Sequence, residues 1–526
     1  MTIRLSIGIT PDTPPSIQGL LESIGLLFEL IEEHPTPQSH ASIYTSRPGD
    51  FAAYVYSGGV VLGPHKTWPS EATSLPSIKT PFALHDMGWI TPENPDPDAK
   101  PLTLRIAQHG LGFFVELPHT LFACWDDTRL GHKFFHCGDG VIPYASEVTS
   151  LMDKGNVQRA LTLAFHHAHS LRELPFVTKH RYPDGASNIF CYRFDCDGGG
   201  AEDVKKVVTR FEKDLTHQAY FFNVSTYTNR SDLVRLIEER GGAVDSHNYI
   251  HTVFRNTLLE QKNIHLAHNW IAQNGTGSPQ GFVCPGSGYN PAILPLLETL
   301  GYRHYASFGL DYDTLPHRLT NGGATGKLWN MAFHPISLGR LLRGLDGFNE
   351  NAIMDYYRDA ILQKEKRHEP LFFYCHPEDR IAKYPSVYEG IRDIALSNSG
   401  VQPISLMQYV EYLDRQTAIA PKISYTPEDN QLQIHNYEAW KSAGVTLCLS
   451  GSQNTPLIMD KTIPLPAKPQ GPLELSYGTG DTITRPLVKT LDEARVTVEY
   501  NHHDDWRLAA RVILPRATRI LESVLR

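Results

Sequence analysis

No run of apolar residues in the 526-residue chain reaches the roughly 20 needed to cross a bilayer, so no membrane span is expected. The opening segment Met1–Pro11 lacks a cationic start, a long apolar core and a small-residue cleavage site, which argues against a secretory signal and makes the cytoplasm the expected location. Cysteine is scarce: seven residues, at 124, 137, 191, 196, 284, 375 and 448, odd in number and without a Cys-x-x-Cys pair. That excludes a disulfide scaffold, and their place in apolar, strand-like runs predicts reduced, buried thiols. Excess basic charge is absent too, with 48 Lys and Arg against 57 Asp and Glu and a net charge of −9. No basic stripe offsets this balance, so no nucleic-acid partner is expected. Internal repeats and low-complexity tracts are also missing, which excludes a solenoid.

What is present describes a globular protein of more than one core, with 41% hydrophobic and 20% charged residues. On a prior of roughly 150 residues per domain the chain divides into about three. Residues 1–150 read as an α/β domain, with a helix-like stretch Ile17–Ile31 and strands at Phe51–Tyr56 and Gly112–Leu117. A helix over Val157–Arg172 carries His166, His167 and His169, read as a solvated or packed helix face because Glu173 is the only carboxylate at helical spacing. In residues 151–415 apolar runs alternate with helical ones, through Asp203–Phe211, Ala219–Val224 and a helix from Asp232, a layout of parallel β/α units. From Thr417 to Thr497 the pattern turns to short alternating strands such as Gly444–Ser450, which predicts a β-sandwich-like domain over 416–526.

The chemistry concentrates in the middle segment. The apolar run from Phe190 ends in Asp195-Cys196-Asp197, and Asp245 opens a stretch holding His247 and His251 just past the short strand Ala243–Asp245. Together these offer one carboxylate and two imidazoles to a divalent metal, with one carboxylate left over as a base, while a hydrolytic zinc site needs three such ligands and an open position. With 25 histidines, about one His-x-x-x-His is expected by chance, so the spacing alone decides little. His132 and His136 share it without an acidic pair upstream and read as ordinary histidines. Asp195 and Asp197 also fit a turn before Gly198, so the two readings stand side by side.

Two further strands run in matching order. Gly281-Phe282-Val283-Cys284 leads into Pro285-Gly286-Ser287-Gly288-Tyr289, and Leu371–Cys375 delivers His376 before Pro377, while Asp311 and Asp313 follow an apolar stretch between them. This motif order, from about Phe190 to Tyr412, resembles the polysaccharide deacetylase (NodB-homology) family of carbohydrate esterases. The resemblance covers a little under half of the chain. It implies a distorted (β/α) barrel holding zinc or another divalent ion, with Asp195 as base, Asp197, His247 and His251 as metal ligands and His376 as the fifth-motif histidine. It places the groove at Pro285, Gly286 and Tyr289, and a fourth motif near Asp311 or Asp313. Val283 stands where the family has an arginine, which removes the usual partner of the base.

The implied reaction is hydrolytic removal of an N- or O-acetyl group from a carbohydrate. Asp195 takes a proton from water, and backbone N–H groups around Gly286 and Ser287 face the developing oxyanion. His376 protonates the leaving group, with Asp311 or Asp313 holding its other nitrogen. Two rival readings remain open: an inactive carbohydrate-binding protein on the same barrel, and a metal-dependent hydrolase of another C–N amide bond.

Overall fold

Nine consecutive buried residues, Asn188–Cys196, mark the strand around which the larger sheet is built, as expected where both faces of a parallel sheet are covered. The computed structural model describes residues 2–31, 34–64, 68–83, 101–135, 137, 144–288, 290–321, 324–345, 348–449, 455–457, 459–465 and 512. In spatial order the sheet runs His317–Asn321, Ala324–Asn330, His304–Tyr305, Gly281–Phe282, Ala243–Ser246, Gln218–Phe222, Asn188–Cys196, Leu371–Cys375, with Val401–Pro403 also pairing to Asn188–Cys196. Every pairing is parallel except the hairpin at the His317–Asn321 edge. Helices such as Ala201–Arg210, Asp232–Glu238, Thr257–Asn274 and Pro385–Leu396 connect the strands, giving the β/α alternation that the apolar pattern predicts.

Side-chain alternation sorts the central strand into two faces. Tyr192 and Phe194 point outward to Tyr388 of Pro385–Leu396, with ring centroids 5.0 and 5.9 Å apart. Arg193 and Asp195 point to the opposite, concave face. Register carries that face across the sheet, since Asp195 pairs with Phe221 and Phe221 with Asp245. All of these parallel strands end at one edge, where the chain leaves into Asp197, Asn223, His247, Val283 and His376.

A second sheet, ordered Phe28–Leu30, Ile7–Ile9, Ser42–Tyr44, Val60–Gly63, Gly112–Glu116, Pro101–His109, Thr73–Ala83, is parallel over its first five strands and antiparallel over the rest. The helix Lys154–Ser170 packs Val157, Leu161 and Phe165 into one core with Ile7, Ile9, Val60 and Leu62 of this sheet. His169 of that helix is buried, its Nδ1 3.0 Å from the Pro175 carbonyl and its ring against Phe176, as a packed face requires.

Two local expectations change. The stretch Ile17–Ile31 is a helix only over Pro15–Ser23; at Gly25 the backbone takes a φ of 74°, which suits glycine, and the chain turns into the strand Phe28–Leu30. Phe51–Tyr56 is not a strand but a turn leading into the short helix Ala52–Tyr56. Tertiary contacts override its β-like composition there, because Tyr54 and Val55 bury against Ile43 and Phe114 and the Tyr54 hydroxyl reaches the His40 carbonyl.

Past residue 415 the described strands form small sheets with distant partners. Ile423–Thr426 pairs with Ile3–Arg4 and Gln431–Ile434, and Leu447–Leu449 pairs with Val177–Lys179. The expected sandwich beyond 465 lies outside the described residues, Val512 excepted. All seven cysteines are free and buried, and no helix of the described residues is long and apolar enough to cross a membrane.

Candidate metal centre

Asp197 leaves the central strand next to Asn223, whose Nδ2 donates to the Asp197 carbonyl. Its carboxylate meets three imidazoles: Oδ1 lies 3.2 Å from His247 Nε2, and Oδ2 lies 3.2 Å from His251 Nε2 and 3.0 Å from His376 Nε2. Asp197, His247 and His251 present ligand atoms within 4.8 Å of one another and are the one group among the described residues able to hold a metal in this way. His247 is buried, His251 half open to solvent.

The loop carrying His247 and His251 is clamped from two sides. Val224 N–H and Ser225 N–H donate to the carbonyls of Asn248 and Tyr249. From the helix Thr257–Asn274, Glu260 accepts from Asn248 Nδ2 and from Phe254 N–H, each at 2.8 Å. Asn263 accepts from Ile250 N–H at 2.8 Å and donates to the carbonyls of Ile250 and Thr252. Asn248 sits at a φ of 67°, a region asparagine tolerates better than most side chains.

The hydrogen bonds fix which imidazole atoms face the carboxylate. His247 Nδ1 lies 2.9 Å from the Val283 carbonyl and donates to it, so its Nε2 presents a lone pair toward Asp197. Asp197 Oδ1 is itself buried and accepts no hydrogen bond. Lone pairs of nitrogen and oxygen thus converge on one point, which a divalent cation or a proton satisfies, and an N2O donor set fits zinc with a position to spare. Burial works against the charge on both groups. Even so, the histidines hold Asp197 well below the usual carboxylate range, and Asp197 raises His247.

Asp195 stands apart from that group, 4% exposed and held by a guanidinium from its own strand: Arg193 Nη2 donates to Oδ2 at 2.8 Å. Arg193 also donates to the Ala306 carbonyl and is enclosed by the rings of Phe221, Phe308, Phe333 and Tyr374, its Cζ 4.5 to 5.9 Å from their centroids. Asp195 therefore has a guanidinium partner although Val283 supplies none. Asp195 Oδ1 is buried and accepts no hydrogen bond.

His376 Nδ1 does not face Asp311 or Asp313. Arg380 Nη1 donates to it, so the imidazole proton sits on Nε2, toward Asp197. Asp313 is committed to His334 Nδ1 and Lys364 Nζ, each at 2.7 Å, and His334 Nε2 continues to the Tyr356 hydroxyl at 2.9 Å. Asp311 accepts from Thr314 Oγ1 at 2.8 Å and is fully buried, which pushes its pKa up to about 7. Neither acid is brought to the Asp197 group.

Pro285 opens the turn Pro285–Ser287, where Gly286 and Ser287 take φ values of 60° and 63°. Ser287 N–H, one of the expected oxyanion donors, donates instead to the Cys284 carbonyl, and the neighbouring Gly288 N–H donates to that of Pro285, so the turn itself uses both. Tyr289 and His136 lie outside the described residues; His132 sits in the strand Leu130–Phe135 with Nδ1 2.8 Å from the Ser146 carbonyl.

No protein-family model matches the chain, and no curated protein matches it. Among solved structures, a Mycobacterium smegmatis protein assigned as a polysaccharide deacetylase resembles it at 15% identity and a TM-score of 0.39, over 46% of this chain and 96% of the other. A family 4 carbohydrate esterase from Streptomyces lividans, solved with acetate, resembles it at 13% identity and a TM-score of 0.30, over 41% and 91%. An allantoinase resembles it at 12% identity and a TM-score of 0.35, over 44% and 91%.

Proposed function

We propose that the chain is a divalent-metal-dependent hydrolase that removes an N- or O-acetyl group from a carbohydrate. The observation that carries this reading is the convergence of Asp197, His247 and His251 beside a second carboxylate, Asp195, that is held separately. The motif order shared with polysaccharide deacetylases supports the choice of bond. When bound, a divalent cation polarises an acetyl carbonyl and lowers the pKa of water.

The chain's own groups divide the remaining work. Arg193 occupies Oδ2 of Asp195 and leaves Oδ1 as the proton acceptor, fixed in a dry, aromatic-walled niche. His376 carries its proton on Nε2, the atom that faces the site, and gives it to the leaving nitrogen or oxygen. Asp197, His247 and His251 hold the cation, while Pro285 and Gly286 border the groove. Asp311 and Asp313 serve packing in this reading, since their partners are Thr314, His334 and Lys364.

The test is metal content of the purified chain together with acetate release from a panel of acetylated sugars. Bound zinc, or another divalent ion, with acetate release is the expected result. Bound metal without any turnover identifies a binding protein, and release of a different acid or of ammonia identifies another amide hydrolase. Failure to bind any divalent ion after reconstitution sinks the proposal.

A further inference from the structure

A cation occupies the place beside His376 where an acid is expected. Arg380 donates one N–H to His376 Nδ1, and among the described residues no carboxylate forms an ion pair with it. Glu147, whose charge is felt by both Arg380 and His376, is already committed to Arg340 and to Ser337 Oγ. Glu378, two residues away, accepts from the Tyr227 hydroxyl and from Gly198 N–H, and Asp379 pairs with Lys383.

Arg380 is also seated rather than loose. Its guanidinium lies close beside Gly339, where a Cβ would come within 2.6 Å of Cζ and Nε. Any side chain at 339 would displace it. A half-buried guanidinium with remaining N–H donors, seated on a glycine shelf beside His376, is suited to a planar or tetrahedral anion. The chain as a whole carries a net charge of −9, so general electrostatics do not account for an unpaired cation at this point.

We infer that Arg380 is a specificity-determining residue that takes up an anionic group of the substrate, a carboxylate or a phosphate, next to the bond that is cleaved. The inference rests on the acetyl-hydrolase reading for the sugar, but the anion contact is measurable by binding alone. Three probes separate the possibilities: N-acetylglucosamine, its 6-phosphate and its 3-O-lactyl carboxylate, titrated calorimetrically into the zinc-loaded chain and into Arg380→Gln and Arg380→Lys.

One of the two anionic sugars is expected to bind the wild-type chain roughly tenfold or more tighter than the neutral one, the gain of a charge-assisted contact. Tighter binding of the phosphate assigns a phosphorylated sugar, and of the carboxylate an acidic sugar. Arg380→Gln should erase the preference while leaving the affinity for the neutral sugar in place, and Arg380→Lys should restore part of it. Equal affinity for all three probes, a preference that persists in Arg380→Gln, or no binding at millimolar probe overturns the inference. A preference that depends on Arg380 without any acetate release sinks the deacetylase reading alone, whereas acetate release without the preference sinks only the role of Arg380.

Discussion

Arg193 and Asp195 stand two residues apart on one strand and face the same way, so that a guanidinium and a carboxylate meet at 2.8 Å inside a box of four aromatic rings. Both side chains are almost completely buried. Removing one member leaves the other charged and uncompensated, which in such settings costs about 3–5 kcal/mol. Arg193→Met is expected to lower the midpoint of urea unfolding accordingly and to abolish turnover, while Arg193→Lys retains part of both. The double variant Arg193→Met/Asp195→Asn should recover stability relative to Arg193→Met. A single Arg193→Met variant as stable as the parent would remove the ion pair from the account.

The three ligand candidates differ in exposure, and metal loss should follow that order. Asp197→Ala and His247→Ala are expected to leave less than about a tenth of the parent's metal after dialysis, because each removes one of only three donors. His251, the exposed member, should weaken binding less. Asp195→Asn should keep its metal and lose turnover. Elemental analysis of dialysed protein reads out all four variants, and a fully active Asp195→Asn would overturn the assignment of the base.

Much of the site is legible in the sequence because its residues stand at the ends of buried apolar runs. Asp195 and Asp197 close Phe190–Phe194, His247 follows Ala243–Asp245, and His376 follows Leu371–Cys375. Arg193 is the residue that motif order passes over. Its signal is nonetheless local: a charge in the middle of a fully buried strand needs a partner, and the two-residue period puts Asp195 on the same face. Arg380, Glu260 and Asn263 leave no such trace. Each lies in a helix or turn among other polar residues, close in sequence to His376 or to the loop 248–254, and spacing alone does not tell which of those polar side chains turns back onto it. For Asp313 the partners Lys364 and His334 are remote in sequence, so spacing cannot tell a packing acid from a catalytic one.

Asn263 makes three hydrogen bonds to the backbone of the loop that carries His251, while the contacts of the Asp197 carboxylate are to His247, His251 and His376. It is a positioning residue, so its effect belongs to affinity rather than to the chemical step. Asn263→Ala is expected to weaken metal binding about 10–100-fold, the usual scale for groups that orient a ligand. Competition against a chromophoric chelator measures this. Circular dichroism of the same sample establishes that the variant is folded, and an unchanged affinity in a folded variant rules the clamp out.

Asp311 gives a pH dependence whose sign distinguishes a packing acid from a working one. Burial, only partly offset by the Lys154 charge and the Thr314 hydroxyl, raises its pKa to about 7, against ~3.9 in an unfolded chain. A carboxyl raised on folding contributes its full stability below the unfolded value and loses it as pH climbs through the folded one. The parent therefore loses stability from this group between about pH 4 and 7, on the order of 1–4 kcal/mol across the window. Asp311→Asn cannot ionise and is free of that loss. Its stability relative to the parent should accordingly be more favourable at pH 8 than at pH 5, read from urea midpoints at the two values, while metal content stays unchanged. A difference that is constant with pH, or that runs the other way, would mean that Asp311 is ionised and paired within the fold, and the role assigned to it in packing would fall.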